Sequence, residues 1–134
     1  MATEGLITIR SGYGPQETMS RFEAEIRARG MTVFAYIDHA AGAGAAGLSL
    51  RPTDLLIFGN AKAGTPLMQQ VQTIGIDLPL KALVWQDASG TTWVSYNNPA
   101  WAAHRHGLDE VANVTVNAMS QALHAIASKA TGSA

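Results

Sequence analysis

Residues 83–86 and 92–96 are two short β-prone runs around DASG, whose Asp87 and Gly90 suit the ends of a turn, so this part of the chain reads as an antiparallel hairpin. That hairpin restricts what the rest can join. Upstream, strands and helical windows alternate instead: LITIR at 6–10 is bounded by Gly5 and SGYGP, MTVFAYID fills 31–38, and DLLIFG fills 54–59. The order is strand, helix, strand, weak short helix, strand, short helix, hairpin, long helix. It predicts one α+β domain over residues 1–134, a two-layer sandwich whose mainly antiparallel sheet carries helices on one face.

Local chemistry sets the expected boundaries. Pro15 has the helical φ already and opens the first helix, Met19, Phe22 and Ile26 make its apolar face, and Gly30 ends it in a left-handed turn. Glu17–Arg21, Arg21–Glu25 and Glu25–Arg29 are four-apart pairs on its solvent side. MTVFAYID has apolar residues on both parities, which predicts a central strand covered on both faces by helices or by another subunit. HAAGAGAAGLSL reads as a weak helix capped by Asp38, because Gly42, Gly44 and Gly47 each cost about 1 kcal/mol against alanine. A further helix is expected from Thr65 as cap and Pro66 as first residue, with Leu67, Met68, Val71 and Ile74 as its stripe up to Gly75. DLPL connects to the hairpin. The last helix is expected from near Asp109 to about Lys129, burying Val111, Val114, Ala118, Ala122 and Ile126.

With 134 residues, 47% of them hydrophobic, the chain has material for a real core, and a formal net charge of -1 with scattered Lys and Arg gives no nucleic-acid footprint. Cysteine is absent, so thiol nucleophiles and thiolate metal sites are excluded. No apolar run resembles a signal peptide or reaches the roughly 18 residues of a membrane span, and a cytoplasmic address is the default expectation.

Three stretches carry polar groups that packing does not require. GNAKAGTP joins a strand end to a helix start, where free N–H groups, the helix dipole and Lys62 favour an anion; equally, Gly59 permits a turn, Asn60 satisfies loop backbone and Thr65 caps a helix. The spacing is not that of a phosphate loop, since the lysine precedes the second glycine. In HRH, His104 and His106 face the same way if the segment is extended, and His39 offers a third metal ligand; ordinary surface histidines are the competing reading. Met68 suits copper(I) as a soft ligand and does not suit zinc. No serine sits in a nucleophile elbow or triad motif, and Glu17 reads as a first-turn helix charge. Trp85, Trp93, Tyr96 and Trp101 crowd the hairpin region, with Trp93 and Ser95 on one sheet face and Val94 and Tyr96 on the other. One helix layer cannot hide them all, so the remainder lines a cavity or meets a second copy.

Glu17-Thr18, IDHAA, FGN, GTPLM, GIDLPLK and YNNP with Arg105-His106, in this order and spacing, resemble the bacterial family called domain of unknown function 302. The resemblance spans nearly the whole chain. It implies a compact α+β fold, often dimeric, and no established reaction. One departure stands out: that family usually has Asn-Pro after FG, whereas Ala61 follows Asn60 here and leaves the turn less rigid.

The combined expectation is a dimeric module binding a small ligand at a strand-end rim formed by IDHAA, GNAKAGTPLM and YNNP-HRH. Its ligand-binding residues are expected to be His39, Asn60, Lys62, Thr65, Met68, Asn97, Arg105 and His106. The alternative is a metal site, structural or catalytic, at His39, His104 and His106.

Overall fold

The computed structural model describes residues 3–108 and 113–133. Five strands form a single sheet in the order β1-β5-β4-β3-β2: β1 (Leu6–Ser11), β2 (Thr32–Asp38), β3 (Thr53–Gly59), β4 (Leu80–Gln86) and β5 (Thr92–Asn97). Every pairing is antiparallel. Helix α1 (Pro15–Ala28) carries the chain from one edge of the sheet to the other, and α5 (Asn113–Thr131) packs beside it. Between them in sequence lie α2 (His39–Ala45), α3 (Ala61–Gln70), a 3₁₀ turn (Gln72–Asp77) and α4 (Pro99–Arg105).

Strand alternation puts Leu56, Phe58, Ala82, Val84, Val94 and Tyr96 on one sheet face, and there they meet Phe22 and Ile26 of α1 and Leu123 and Ile126 of α5. This is the core. Phe22 and Phe58 meet edge to face at 5.5 Å. The first helix forms as its residues dictate: Pro15 stands in the first turn, Ser11 and Thr18 share a buried 2.6 Å hydrogen bond, and Gly30 has φ +75° where a left-handed turn is required. Glu17 pairs with Arg21, but Glu25 reaches across to Lys129 of α5 at 3.7 Å, not along the helix to Arg29. The hairpin turn is organised by Asp87, whose carboxylate accepts from the Ser89 and Thr91 backbone N–H groups and from the Trp93 indole. The Trp93 bond, then the Ser89 hydroxyl, pulls its carboxyl down to about 2.

Four sequence expectations change. Strand β2 is an edge, paired only with β3, and not the expected central strand; within one copy Phe34 stays 54% exposed, so no helix covers that side. A register shift at Val33/Ala35 re-aims Phe34, so strict alternation fails there. Helix α3 begins five residues earlier than expected: Asn60 and not Thr65 is the cap, its side chain accepting from the Lys62 N–H at 2.9 Å, and Pro66 lies inside the helix. A cap and a first-turn proline were both on offer, and Asn60 won because the helix gains a full turn. That helix ends at Gln70, and Ile74 sits in the 3₁₀ turn. PAWAAHR is helical, capped by Asn98 with Pro99 in its first turn, so HRH is not extended. The start of the last helix near Asp109, and Val111, lie outside the described residues.

Candidate functional site

Antiparallel pairing of neighbours places the end of β3, the starts of β2 and β4 and the end of β5 at one end of the sheet. Above that end, α3 and the first half of α5 stand apart and leave a groove of about 710 Å³. Its floor is Gly59, Pro79 and Leu80, its α3 wall is Lys62, Thr65 and Met68, and Met31 and Phe34 close the β2 side. Met119 and the small side chains of Ala118 and Ala122 make the α5 wall.

The α5 wall explains a misread stripe. The apolar residues of this helix buried in the protein are Val116, Leu123, Ile126, Ala127 and Ala130, whereas Val114 is 86% exposed and borders the groove with Ala118 and Ala122. Val114, Ala118 and Ala122 follow four-residue spacing as well as any core stripe would, so periodicity alone could not tell a core-facing side from a groove-facing one. Alanine is what keeps the groove open. The rim carries two cations, Arg29 and Lys62, and no aspartate or glutamate among the described residues lines it.

Asn60, Lys62, Thr65 and Met68 therefore stand together as expected. Asn97 does not reach the groove; it lines a neighbouring crevice of about 20 Å³ with Asp77, Leu78 and Asn98, room for one water. Arg105 and His106 line neither space and instead bind Asp77. Asp77 Oδ2 lies 2.6 Å from His106 Nε2, Arg105 donates to both carboxylate oxygens at 3.0 Å, and Thr73 Oγ1 is 3.0 Å from His106 Nδ1. With Nε2–H donating to the carboxylate, Nδ1 accepts from the Thr73 hydroxyl. The order hydroxyl, imidazole, carboxylate matches an acid–base relay. Thr73 borders neither the groove nor the crevice, however, and the bonds join α4 to the 3₁₀ turn, so their evident work is to hold those two elements together.

IDHAA is at the wrong end. Asp38 pairs with Asp54 while Thr32 pairs with Gly59, so His39 lies the length of β2, roughly 20 Å, from the groove. A three-segment rim would need β2 and β3 to run parallel; their antiparallel pairing sends the end of β2 away. Around that far end a second concavity is lined by Glu23, Tyr36, Asp38 and Asp54. Burial first, then Asp54, pushes Tyr36 up to about 12, and burial raises Asp54 as well. The Asp38 side chain itself caps α2 as expected, accepting from the Ala41 N–H at 2.8 Å. The metal reading fails on the same geometry: His39 is remote from His106, His104 and His106 lie on a helix and its cap, and the described residues hold no group of three His, Asp or Glu suited to a metal.

Sequence reasoning missed Arg29, Phe34, Leu78, Val114 and Met119 as groove residues. They come from four separate segments, and only the sheet order gathers them. Arg29 was masked by its four-apart spacing from Glu25, which in the structure reaches Lys129 instead.

Residues 7–126 match the family described as "Domain of unknown function DUF302". The chain belongs to the DUF302 family. A solved structure, that of an uncharacterized conserved DUF302 protein from Bacillus stearothermophilus, superposes with a TM-score of 0.85 at 20% identity, covering 96% of this chain and 99% of that one. That likeness shows the DUF302 fold. Two curated relatives are named fluoride-specific ion channels: FluC 1 of Brucella suis biovar 1 (strain 1330) and FluC 2 of Brucella melitensis biotype 1 (strain ATCC 23456 / CCUG 17765 / NCTC 10094 / 16M). Each is 50% identical over 115 residues, 86% of this chain, but only 45% and 43% of the respective relative. The chain thus spans less than half the length of these relatives. Among the described residues no helix is long and apolar enough to cross a membrane.

Proposed function

We propose that this DUF302 chain is a cytoplasmic, homodimeric module that binds a small, largely apolar molecule in the groove between α3, α5 and the strand ends. The observation that carries the reading is the groove itself: about 710 Å³, walled mostly by apolar side chains from several elements, with few polar side chains among them. On the α5 wall, Ala118 and Ala122 leave space beside Met119. A thermal-shift panel of apolar metabolites and small anions tests it. Ala118→Phe, which fills the groove from an exposed helix position, should abolish any response while leaving the unliganded melt nearly unchanged; a response that survives the substitution would place binding elsewhere.

The homodimer rests on the sheet face that points away from α1 and α5. Ile37, Leu55 and Leu83 share that face through direct pairing, and Trp85 stacks on Trp93 at 6.1 Å beside them. Such a surface suits a second copy. Light scattering on the purified chain should give twice the monomer mass, reduced to one by Trp93→Arg; a wild-type monomer refutes the dimer and leaves the groove untouched.

The named activity of the Brucella relatives supports a narrower idea, that the matching segment serves as an accessory unit to a membrane protein. Appending this chain to a fluoride channel and finding flux unchanged by Ala118→Phe would dismiss it.

A further inference from the structure

We propose that the groove takes an amphipathic monocarboxylate, an apolar chain or ring ending in a carboxylate, with Lys62 and Arg29 holding the head group. The assignment rests on the groove being a ligand site and adds the chemical class of its occupant. Charge is the first argument. Both cations on the rim lack an ion pair among the described residues, as do Arg10, Arg51 and Lys81, whereas Arg21, Arg27, Arg105 and Lys129 each have a carboxylate within 4 Å; what sets Arg29 and Lys62 apart is that they border one groove. No described acidic residue lines the groove, so its described lining carries two positive groups and no negative one, in a protein whose net charge is -1. The concavity at the opposite end of β2 has the reverse character, with Glu23, Asp38 and Asp54, and repels the same ligand.

The wall supplies the second argument. Met31, Met68 and Met119 are three unbranched thioethers facing one space, side chains that adapt to a flexible apolar chain more readily than to one rigid shape. Phe34 and Leu78 extend the same surface. Polar side chains other than the two cations are few, Asn60, Thr65 and Thr115, and the Asn60 carbonyl oxygen is already engaged by the Lys62 N–H. A sugar or nucleotide requires many directed hydrogen bonds, which this lining does not offer. An apolar body with one negative end matches what it does offer.

Calorimetric titration with decanoate, decanol and decyltrimethylammonium, on the full chain and on the Lys62→Gln/Arg29→Gln double variant, tests the assignment. Decanoate should bind wild type most tightly. The double variant should weaken it about fivefold to tenfold, as expected for two exposed cations, while decanol binding stays unchanged. Raised salt should weaken decanoate in wild type in the same direction. Equal affinity for decanol and decanoate, tighter binding of decyltrimethylammonium, or decanoate affinity unaltered in the double variant would overturn the carboxylate assignment while leaving an apolar groove. Failure of all three compounds to bind the folded protein would remove the groove reading as well, and decanoate binding undiminished by Ala118→Phe would move the site elsewhere.

Discussion

Replacing Asp77 with alanine isolates the contact that joins the 3₁₀ turn to α4. The Asp77 and His106 side chains are 14% and 10% exposed, so the 2.6 Å bond between them is largely shielded, whereas the Arg105 partner is 52% exposed. Removing the carboxylate leaves the His106 Nε2 donor without its acceptor, at about 1–3 kcal/mol for a buried polar group left unpaired. The exposed arginine adds at most about 1 kcal/mol, and the two losses are not independent. A net loss of about 2 kcal/mol follows, or roughly 6–10 °C in melting temperature for a domain of this size. Urea unfolding of wild type, Asp77→Ala, His106→Ala and the double variant gives the coupling directly, expected at about 1–2 kcal/mol; Arg105→Ala alone should cost under about 0.5 kcal/mol. A coupling near zero, or an Asp77→Ala variant as stable as wild type, would show that the cluster does not clamp α4 and that its geometry needs another explanation.

Other perturbations probe the frame around the site. Gly5 has φ +76°, and a Cβ there would overlap the Trp101 ring, 2.6 Å from Cδ2 and 2.7 Å from Cδ1. Gly5→Ala should therefore cost about 2–4 kcal/mol in chemical denaturation, falling to about 1 kcal/mol when measured against a Trp101→Ala background that removes the overlap. Asp87 is held at about 2, below its ordinary 3.8, so its contribution to stability is complete above pH 4 and is lost as pH falls toward 2; melts from pH 5 to 2 should show this loss, and Asp87→Asn should flatten that part of the profile. Tyr36 is raised from 10.0 to about 12, so its contribution is complete below pH 10 and is lost between 10 and 12, a step that Tyr36→Phe should remove from alkaline melts. Pro66 sits inside α3, where it removes a backbone hydrogen bond, and Pro66→Ala should raise stability by about 1 kcal/mol or more in the same urea assay.

How far the sequence could be read depended on the range of the interaction that decides each feature. The hairpin, α1 and the Asp38 cap of α2 follow from residues within a few positions of one another, and all three stand where turn and capping chemistry put them. Where two local signals competed, as Asn60 and Thr65 did for the α3 cap, propensity could not rank them. Position in the sheet was harder still: MTVFAYID has the composition of a covered strand, and only pairing partners distant in sequence reveal an edge. The groove was half legible because GNAKAGTPLM really is one of its walls, while its other walls come from β2, the β4 entry and α5. IDHAA looked equivalent by polarity. Antiparallel pairing, invisible in any single segment, sent it to the far end.

The most direct test of the groove as the ligand site is an amide chemical-shift map of the isotopically labelled chain titrated with decanoate. Saturating shifts are expected at residues 59–68, 78–80 and 114–122 alone, with residues 36–39 and 54 unmoved. Shifts centred on Tyr36, His39 and Asp54, or no saturating shift anywhere, would contradict it.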